Sequence, residues 1–188
     1  MENKEIIEEN SISLFSKKGY EAVGVQEICE VSKITKPTLY YYFKSKGGLL
    51  QYIADTKGNE LLKIIQSALT YNHDFIKGLT DVLKAEIRFA KENPAFFDLH
   101  CILMNSPDDS EQKNIYASVI MSIQKSFDDF FISSCLEFGN MKGKENLYAT
   151  MFHNNVVSTA VLMAKGKMEY SEETIYQIIH TLVYGMAN

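Results

Sequence analysis

The stretch VSKITKPTLYYYFKSK, residues 31–46, pins down a helix start at three points and constrains the fold more than any other part of the chain. Thr35 is placed as an N-cap, accepting a backbone N–H from the first turn. Lys36 and Pro37 then open the helix, where the N–H that proline lacks has no intrahelical partner in any case. Ile34, just before the cap, is positioned to pack on Leu39 as a hydrophobic staple. At about 100° per residue, Leu39 and Phe43 fall on one face and belong in a core. Pro37, Thr38 and Tyr41 lie opposite, with Lys44 beside them and Lys36, Tyr40 and Tyr42 on the flanks. Between Lys33 and Lys46 there are four lysines and no acidic residue, a local positive patch suited to phosphate. A merely solvated face does not usually carry three consecutive tyrosines. The competing reading is a core helix with the tyrosines partly buried.

That patch sits in a chain of 188 residues with a formal net charge of -5, which argues against indiscriminate coating of nucleic acid but leaves local recognition open. A hydrophobic content of 46% is enough to form a substantial core. The three cysteines, Cys29, Cys101 and Cys135, form no CxxC pair and read as small apolar thiols, with no metal-ligand spacing. His73, His100, His153 and His180 are scattered, and no nucleophile–base set or phosphate loop is recognisable, so an enzyme is not expected and no cofactor is implied. The opening MENKEIIEEN has no apolar stretch and is not a signal peptide. Residues 146–164 carry no Asp, Glu, Lys or Arg. They hold too many polar groups, among them Asn146, His153, Asn154 and Asn155, for a lipid-facing span. A helix buried against protein, in a cytoplasmic chain with no membrane partner, is the expectation.

Three prolines and the absence of period-2 alternation predict an all-α chain of about nine helices. The first runs from about Lys4 to Lys18 and stops at Gly19. Short helices follow Gly24, Thr35 and Ser45, the last extending to Ile65. Further helices cover about 73–92 and 94–105, and a long one about 108–138 before Gly139. The last two are Glu145–Lys165 and Ser171–Met186, the latter capped by Ser171 with Glu172 and Glu173 against the positive end of its dipole.

The residues from Ile7 to Leu50 resemble the DNA-binding domain of the tetracycline-repressor (TetR) family. The likeness rests on Phe15, Gly19-Tyr20, Val25, Glu27-Ile28, the run Thr35 to Phe43, Lys44-Ser45-Lys46 and Leu49-Leu50. It covers about a quarter of the chain; the remainder is similar in helix count and order only. The resemblance implies residues 1–46 as a three-helix, helix-turn-helix DNA-binding domain and residues 47–188 as a helical ligand-binding and dimerisation bundle. It implies that the third helix enters the major groove of a double-stranded operator. Lys36, Pro37, Thr38 and Tyr41 then sit where base edges are read, and Thr35, Tyr40, Tyr42 and Lys46 where phosphates are touched. Gln26 matches a further contact position and suits adenine. With Pro37, Thr38 and Tyr41 offered to thymine methyls, A·T pairs are expected at the contacted positions. The chain departs from the family pattern in Lys33, where a left-handed turn usually holds Gly at a saving of roughly 1 kcal/mol. Gly24 stands for the usual Ser/Thr, and Gly47, Gly48 and Gly58 suggest a softened mount for the reading head.

A palindromic operator calls for a homodimer. Tyr148, Phe152, Val156, Ala160 and Met163 form one apolar stripe, and Ile175, Ile178, Ile179, Leu182 and Met186 another. The resemblance implies that these two helices pair with their symmetry mates, although either stripe equally closes a monomer core. For a small-molecule effector the candidate contacts are Phe97, His100, Cys101, Met104, Tyr116, Phe127, Phe131, His153 and Asn154, an aromatic and methionine-rich set with a few polar groups. The same residues also read as plain core. The sequence therefore points to a repressor released by a small, largely apolar ligand. The alternative is a helix-turn-helix regulator without such an effector, controlled by a protein partner.

Overall fold

The computed structural model describes residues 3–135, 137 and 141–185, which form helices joined by short turns and loops, with no strand among them. The elements are α1 (Asn3–Lys18), α2 (Val25–Ser32), α3 (Lys36–Phe43), α4 (Lys46–Ile53), a π-helical turn (Ala54–Gly58), α5 (Asn59–Ala68), α6 (Phe75–Glu92), α7 (Pro94–Met104), α8 (Glu111–Ser134), α9 (Glu145–Ala164) and α10 (Glu172–Tyr184). Because α4, the π turn and α5 follow without a break, the described residues hold nine helical runs. Leu136, Phe138, Gly139 and Met186 of the expected helix ends and stripe lie outside the described residues. None of the described helices is long and apolar enough to cross a membrane.

Helix limits follow local chemistry. The α6 helix begins at Phe75 rather than His73 because His73 has a left-handed backbone (φ 66°) and Asp74 caps the helix, its carboxylate accepting the Lys77 N–H at 2.9 Å. The long helix begins at Glu111 rather than 108 because Ser110 lies in a turn with Pro107 and accepts the Lys113 N–H at 3.3 Å. Ser171 caps α10 as its sequence suggests, accepting the Thr174 N–H at 3.1 Å.

The chain divides into two compact units. The first comprises Met1–Glu60 and Asn93–Ile120. There α1 packs against α2, α4 and α7, and α3 against α2 and α4. Ile7, Phe15, Ile28, Leu39, Leu49, Leu50 and Ile53 form its core with Phe96, Phe97, Leu99 and Tyr116. The second comprises Leu61–Glu92 and Met121–Asn188, in which α6 packs against α9 and α10. Its core holds Leu79, Val82, Leu83, Phe127, Phe130, Phe131, Val156 and Ile179. Gly78 lies against the Phe130 ring so closely that a Cβ there would sit 2.5 Å from Cζ. Phe130 in turn stacks on Phe75 with ring centroids 5.6 Å apart and planes at 15°.

Candidate nucleic-acid interface

The helix-turn-helix is built by its turns. Lys33 adopts the left-handed conformation (φ 54°, ψ 43°), and its N–H closes α2 onto the carbonyls of Cys29 and Glu30. Two residues later Thr35 caps α3, its Oγ1 accepting the Thr38 N–H at 3.4 Å and lying 2.9 Å from the Thr38 hydroxyl. Leu39 and Phe43 are the buried residues of α3. Lys36, Pro37 and Tyr40 are exposed, Thr38 and Tyr42 half-buried, and Tyr41 is 74% exposed. Tyr41 and Tyr42 meet edge to face at 5.2 Å, so the outermost tyrosine is braced by its neighbour.

Beyond α3 the chain reverses through Lys44 (φ 68°, ψ -37°), with the Ser45 N–H bonded to the Phe43 carbonyl at 2.8 Å. This is a γ-turn, a strained conformation for a residue with a side chain. It delivers Ser45 as the cap of α4, accepting the Gly48 N–H at 2.9 Å. A Cβ on Gly48 would lie 1.9 Å from the Phe43 oxygen. One on Gly47 would lie 2.7 Å from the Glu111 carboxylate and 3.3 Å from Ile115. One on Gly58 would lie 3.0 Å from Val119 and 3.2 Å from Tyr116. These glycines are places of close approach, which replaces the expectation of a softened mount with a packing reason.

Two of the expected contact residues are engaged within the chain. The Lys46 ammonium donates to the carbonyls of Tyr20 at 3.0 Å and Val23 at 3.2 Å and lies 4.1 Å from the Tyr20 ring centre. It closes the turn between α1 and α2. Gln26 is exposed, and its amide donates to Glu30 Oε1 at 2.9 Å, an i,i+4 pair on the surface of α2. Lys33, Lys36 and Lys44 remain exposed, which keeps the local positive patch on the α3 side.

The nine candidate ligand contacts fall in both units. In the first, the buried His100 Nδ1 lies 2.9 Å from the Tyr116 hydroxyl, and Phe97 packs on His100 with centroids 5.8 Å apart. Burial raises the Tyr116 phenol well above its usual range. Cys101 and Met104 are half-buried. In the second, His153 stacks on Phe127 at 4.5 Å and 16°, and Phe131 meets Phe152 at 6.0 Å, whereas Asn154 is exposed. An open groove of about 640 Å3 in the second unit is lined instead by Lys63, Ile64, Ser67, Lys84, Arg88 and Tyr170, among others. Sequence reasoning did not single out Glu86. It is fully buried on α6, neither carboxylate oxygen has a hydrogen-bond partner, and burial pushes its pKa up to about 8. An acid among Val82, Leu83, Phe89 and Ala90 on one helical stripe was the available signal.

Of the expected dimer stripes, Phe152, Val156, Ala160, Met163, Ile175 and Ile179 are buried within the chain itself. Tyr148 and Ile178 are half-buried and Leu182 exposed. What α9 and α10 leave uncovered is another apolar set: Leu147, Met151, Tyr176, Leu182 and Tyr184.

Residues 8–53 match the model of the bacterial regulatory proteins of the tetR family. Over 49 residues the chain is 45% identical to YuxN of Bacillus subtilis, an HTH-type transcriptional regulator; the match covers 26% of this chain and 17% of YuxN. It is 24% identical to IcaR of Staphylococcus aureus, the negative transcriptional regulator of the biofilm operon icaADBC, over 96% of both chains. Among solved structures, FadR of Bacillus subtilis in complex with stearoyl-CoA shares the fold, with a TM-score of 0.76 and 15% identity over 97% of this chain and 98% of that one.

Proposed function

Since the chain belongs to the TetR family of transcriptional regulators, we propose that it acts as a repressor that holds a palindromic operator as a homodimer and releases it when a small, largely apolar ligand binds. The observation that carries this reading is the face of α3. Only Leu39 and Phe43 anchor that helix inside, leaving Lys36, Pro37, Thr38 and Tyr41 for base edges and Thr35, Tyr40 and Tyr42 for phosphates. Gln26 joins the contact set once it exchanges Glu30 for DNA. Lys46 acts from behind, holding the α1–α2 turn in place. Residues 1–46 form the reading head and 47–188 the part that dimerises and senses, in the cytoplasm.

Repression is favoured by the full-length likeness to IcaR, a negative regulator. A ligand with a long apolar body is favoured by the fold shared with FadR and by the aromatic interior around Phe127, Phe131 and His153. Dimerisation through α9 and α10 is favoured by the exposed Leu147, Met151, Tyr176, Leu182 and Tyr184, with Tyr148 and Ile178 at the margin. For the ligand to release DNA it must bind one dimer geometry better than the other. The relatives named are regulators rather than enzymes.

A mobility-shift assay with the DNA flanking its own gene tests the reading. A shift abolished by an unlabelled copy of the site, but not by bulk DNA, is the expected result. Binding that ignores sequence would overturn it. Selection of sites from random DNA is expected to return two half-sites with A·T pairs at the contacted positions.

A further inference from the structure

We propose that Glu86 and His153 are the polar anchors of an effector site inside the second unit, and that its occupant is an amphiphilic amine, an apolar body bearing an ammonium group. The inference rests on the ligand-responsive reading above and names the chemistry of that ligand.

Glu86 lies on α6 with no exposed surface and with Oε1 and Oε2 both lacking a hydrogen-bond partner. Its buried neighbours along the helix, Val82, Leu83, Phe89 and Ala90, offer nothing to a carboxylate. The charged residues close to it in sequence point elsewhere: Lys84 pairs with Glu172 at 2.6 Å, and Arg88 is exposed. A buried acid left like this is costly, and native structures keep such groups where a partner arrives.

His153 lies on α9, the helix against which α6 packs, and is 3% exposed. Its protonation is set by its surroundings. Gln124 donates its amide to Asp128 Oδ1 at 2.9 Å and to Thr150 Oγ1 at 3.2 Å, which turns its carbonyl oxygen toward His153 Nδ1 at 3.2 Å. Nδ1 therefore carries the hydrogen, and Nε2 presents a lone pair that is buried and has no partner. Burial depresses the imidazole pKa to about 4, so the ring stays neutral.

Two packed helices thus each hold an orphaned buried polar group, and both groups accept hydrogen bonds once Glu86 is ionised. An anion has no counterpart there, since an ionised Glu86 repels it and His153 Nε2 has no hydrogen to give. A cation with several N–H donors suits either acceptor, and the Phe127 face stacked on His153, with Phe152 at 6.3 Å from Phe127, adds aromatic surface that favours a cation.

The test uses the full chain and three probes that share one apolar body: n-octylammonium, n-octanol and n-octanoate, each titrated calorimetrically below its micellar range. Octylammonium is expected to bind at least about tenfold tighter than octanol, with octanoate weakest. Glu86→Gln keeps the side-chain volume and should cut the octylammonium affinity about tenfold while leaving octanol nearly unchanged. His153→Phe should weaken octylammonium several-fold. Equal affinity for the three heads, preference for octanoate, or an octylammonium affinity indifferent to Glu86→Gln overturns the inference, as does failure of all three to bind. If Glu86→Gln does not fold, the head-group order on the unaltered chain decides. The ligand-responsive reading is judged separately, by whether any member of a broad panel of apolar compounds releases DNA.

Discussion

The Tyr20 hydroxyl donates a 3.0 Å hydrogen bond to Oε2 of Glu111, 91 positions further along the chain. It joins the turn after α1 to the first residue of α8 within one compact unit, and Lys46 secures the same turn from the other side. Burial first, then the Glu111 carboxylate, raises the Tyr20 phenol well above its usual range, so the bond persists through the alkaline range. Tyr20→Phe should cost about 1 kcal/mol, since the Glu111 side left behind is exposed and can be hydrated. Chemical denaturation measures this; an unchanged midpoint would remove the bond from any account of how the head is held.

Tyr41 stands farthest out on α3. Tyr41→Ala should leave stability within about 0.5 kcal/mol and lower operator affinity by about tenfold or more. Lys44→Ala, which removes an exposed lysine of the patch that is not assigned to a base edge, should weaken binding on every sequence alike and reduce the salt slope by about 1. Titrations at several salt concentrations separate the two effects. Loss of stability in Tyr41→Ala comparable to its loss of affinity would contradict the exposed placement.

Gly47 and Gly48 should respond differently to alanine. Propensity alone predicts that either change stabilises by up to about 1 kcal/mol. At Gly48 the obstacle is the Phe43 carbonyl, a backbone atom that cannot step aside, so Gly48→Ala should destabilise by roughly 2 kcal/mol or more. At Gly47 the nearest obstacle is the end of the Glu111 side chain, which can rotate, so Gly47→Ala should be much milder. Equal melting temperatures for the two variants would refute the distinction.

Lys33→Gly should stabilise the chain by roughly 1 kcal/mol, because the position is left-handed and a side chain is strained there. Thermal unfolding reads this directly. Since Lys33 also contributes to the positive patch, the same variant should bind DNA slightly more weakly at low salt.

Glu86 and His153 give stability a pH signature. Glu86 has a raised folded pKa, near 8 against 4.5. Between those values the unfolded chain is ionised and the folded one is not, so stability falls as pH rises through that window and levels off above it. His153 is depressed, from 6.5 to about 4, so its contribution is complete above 6.5 and is lost as pH falls toward 4. From 4.5 to 6.5 the two oppose each other; above 6.5 the Glu86 effect stands alone. Glu86→Gln should therefore exceed the parent in stability at pH 9 by more than at pH 5, by a difference on the order of a few kcal/mol. A constant offset across that range would mean that Glu86 is ionised in the folded chain.

The helix order, the Thr35 and Ser171 caps and the two-sided character of α3 were legible because local rules decide them. A cap, a proline position and a helical period each act over a few residues. The same rules misjudged the glycines of α4: propensity sees only the cost of Gly47 and Gly48, while their reason is the Phe43 oxygen and a side chain more than sixty residues away. The stripes of α9 and α10 were legible as apolar but not as to what covers them. Phe152 and Ile179 turn inward, and Met151 and Tyr176 at neighbouring positions face out. Lys46 reads as a phosphate ligand by position, yet the nearby Tyr20 and Val23 carbonyls claim its ammonium. Glu86 was hidden because a charged residue in a helix is ordinarily assigned to solvent.

The α3 helix is held inside by two side chains, Leu39 and Phe43, and its placement is otherwise set by turns that belong to the backbone. The alphabet that fastens α3 is thus separate from the alphabet it displays. A library that randomises residues 36, 37, 38 and 41 while leaving 39, 43, 45 and 48 untouched should yield mostly folded proteins with new sequence preferences, which makes this chain a convenient frame for reprogramming an operator.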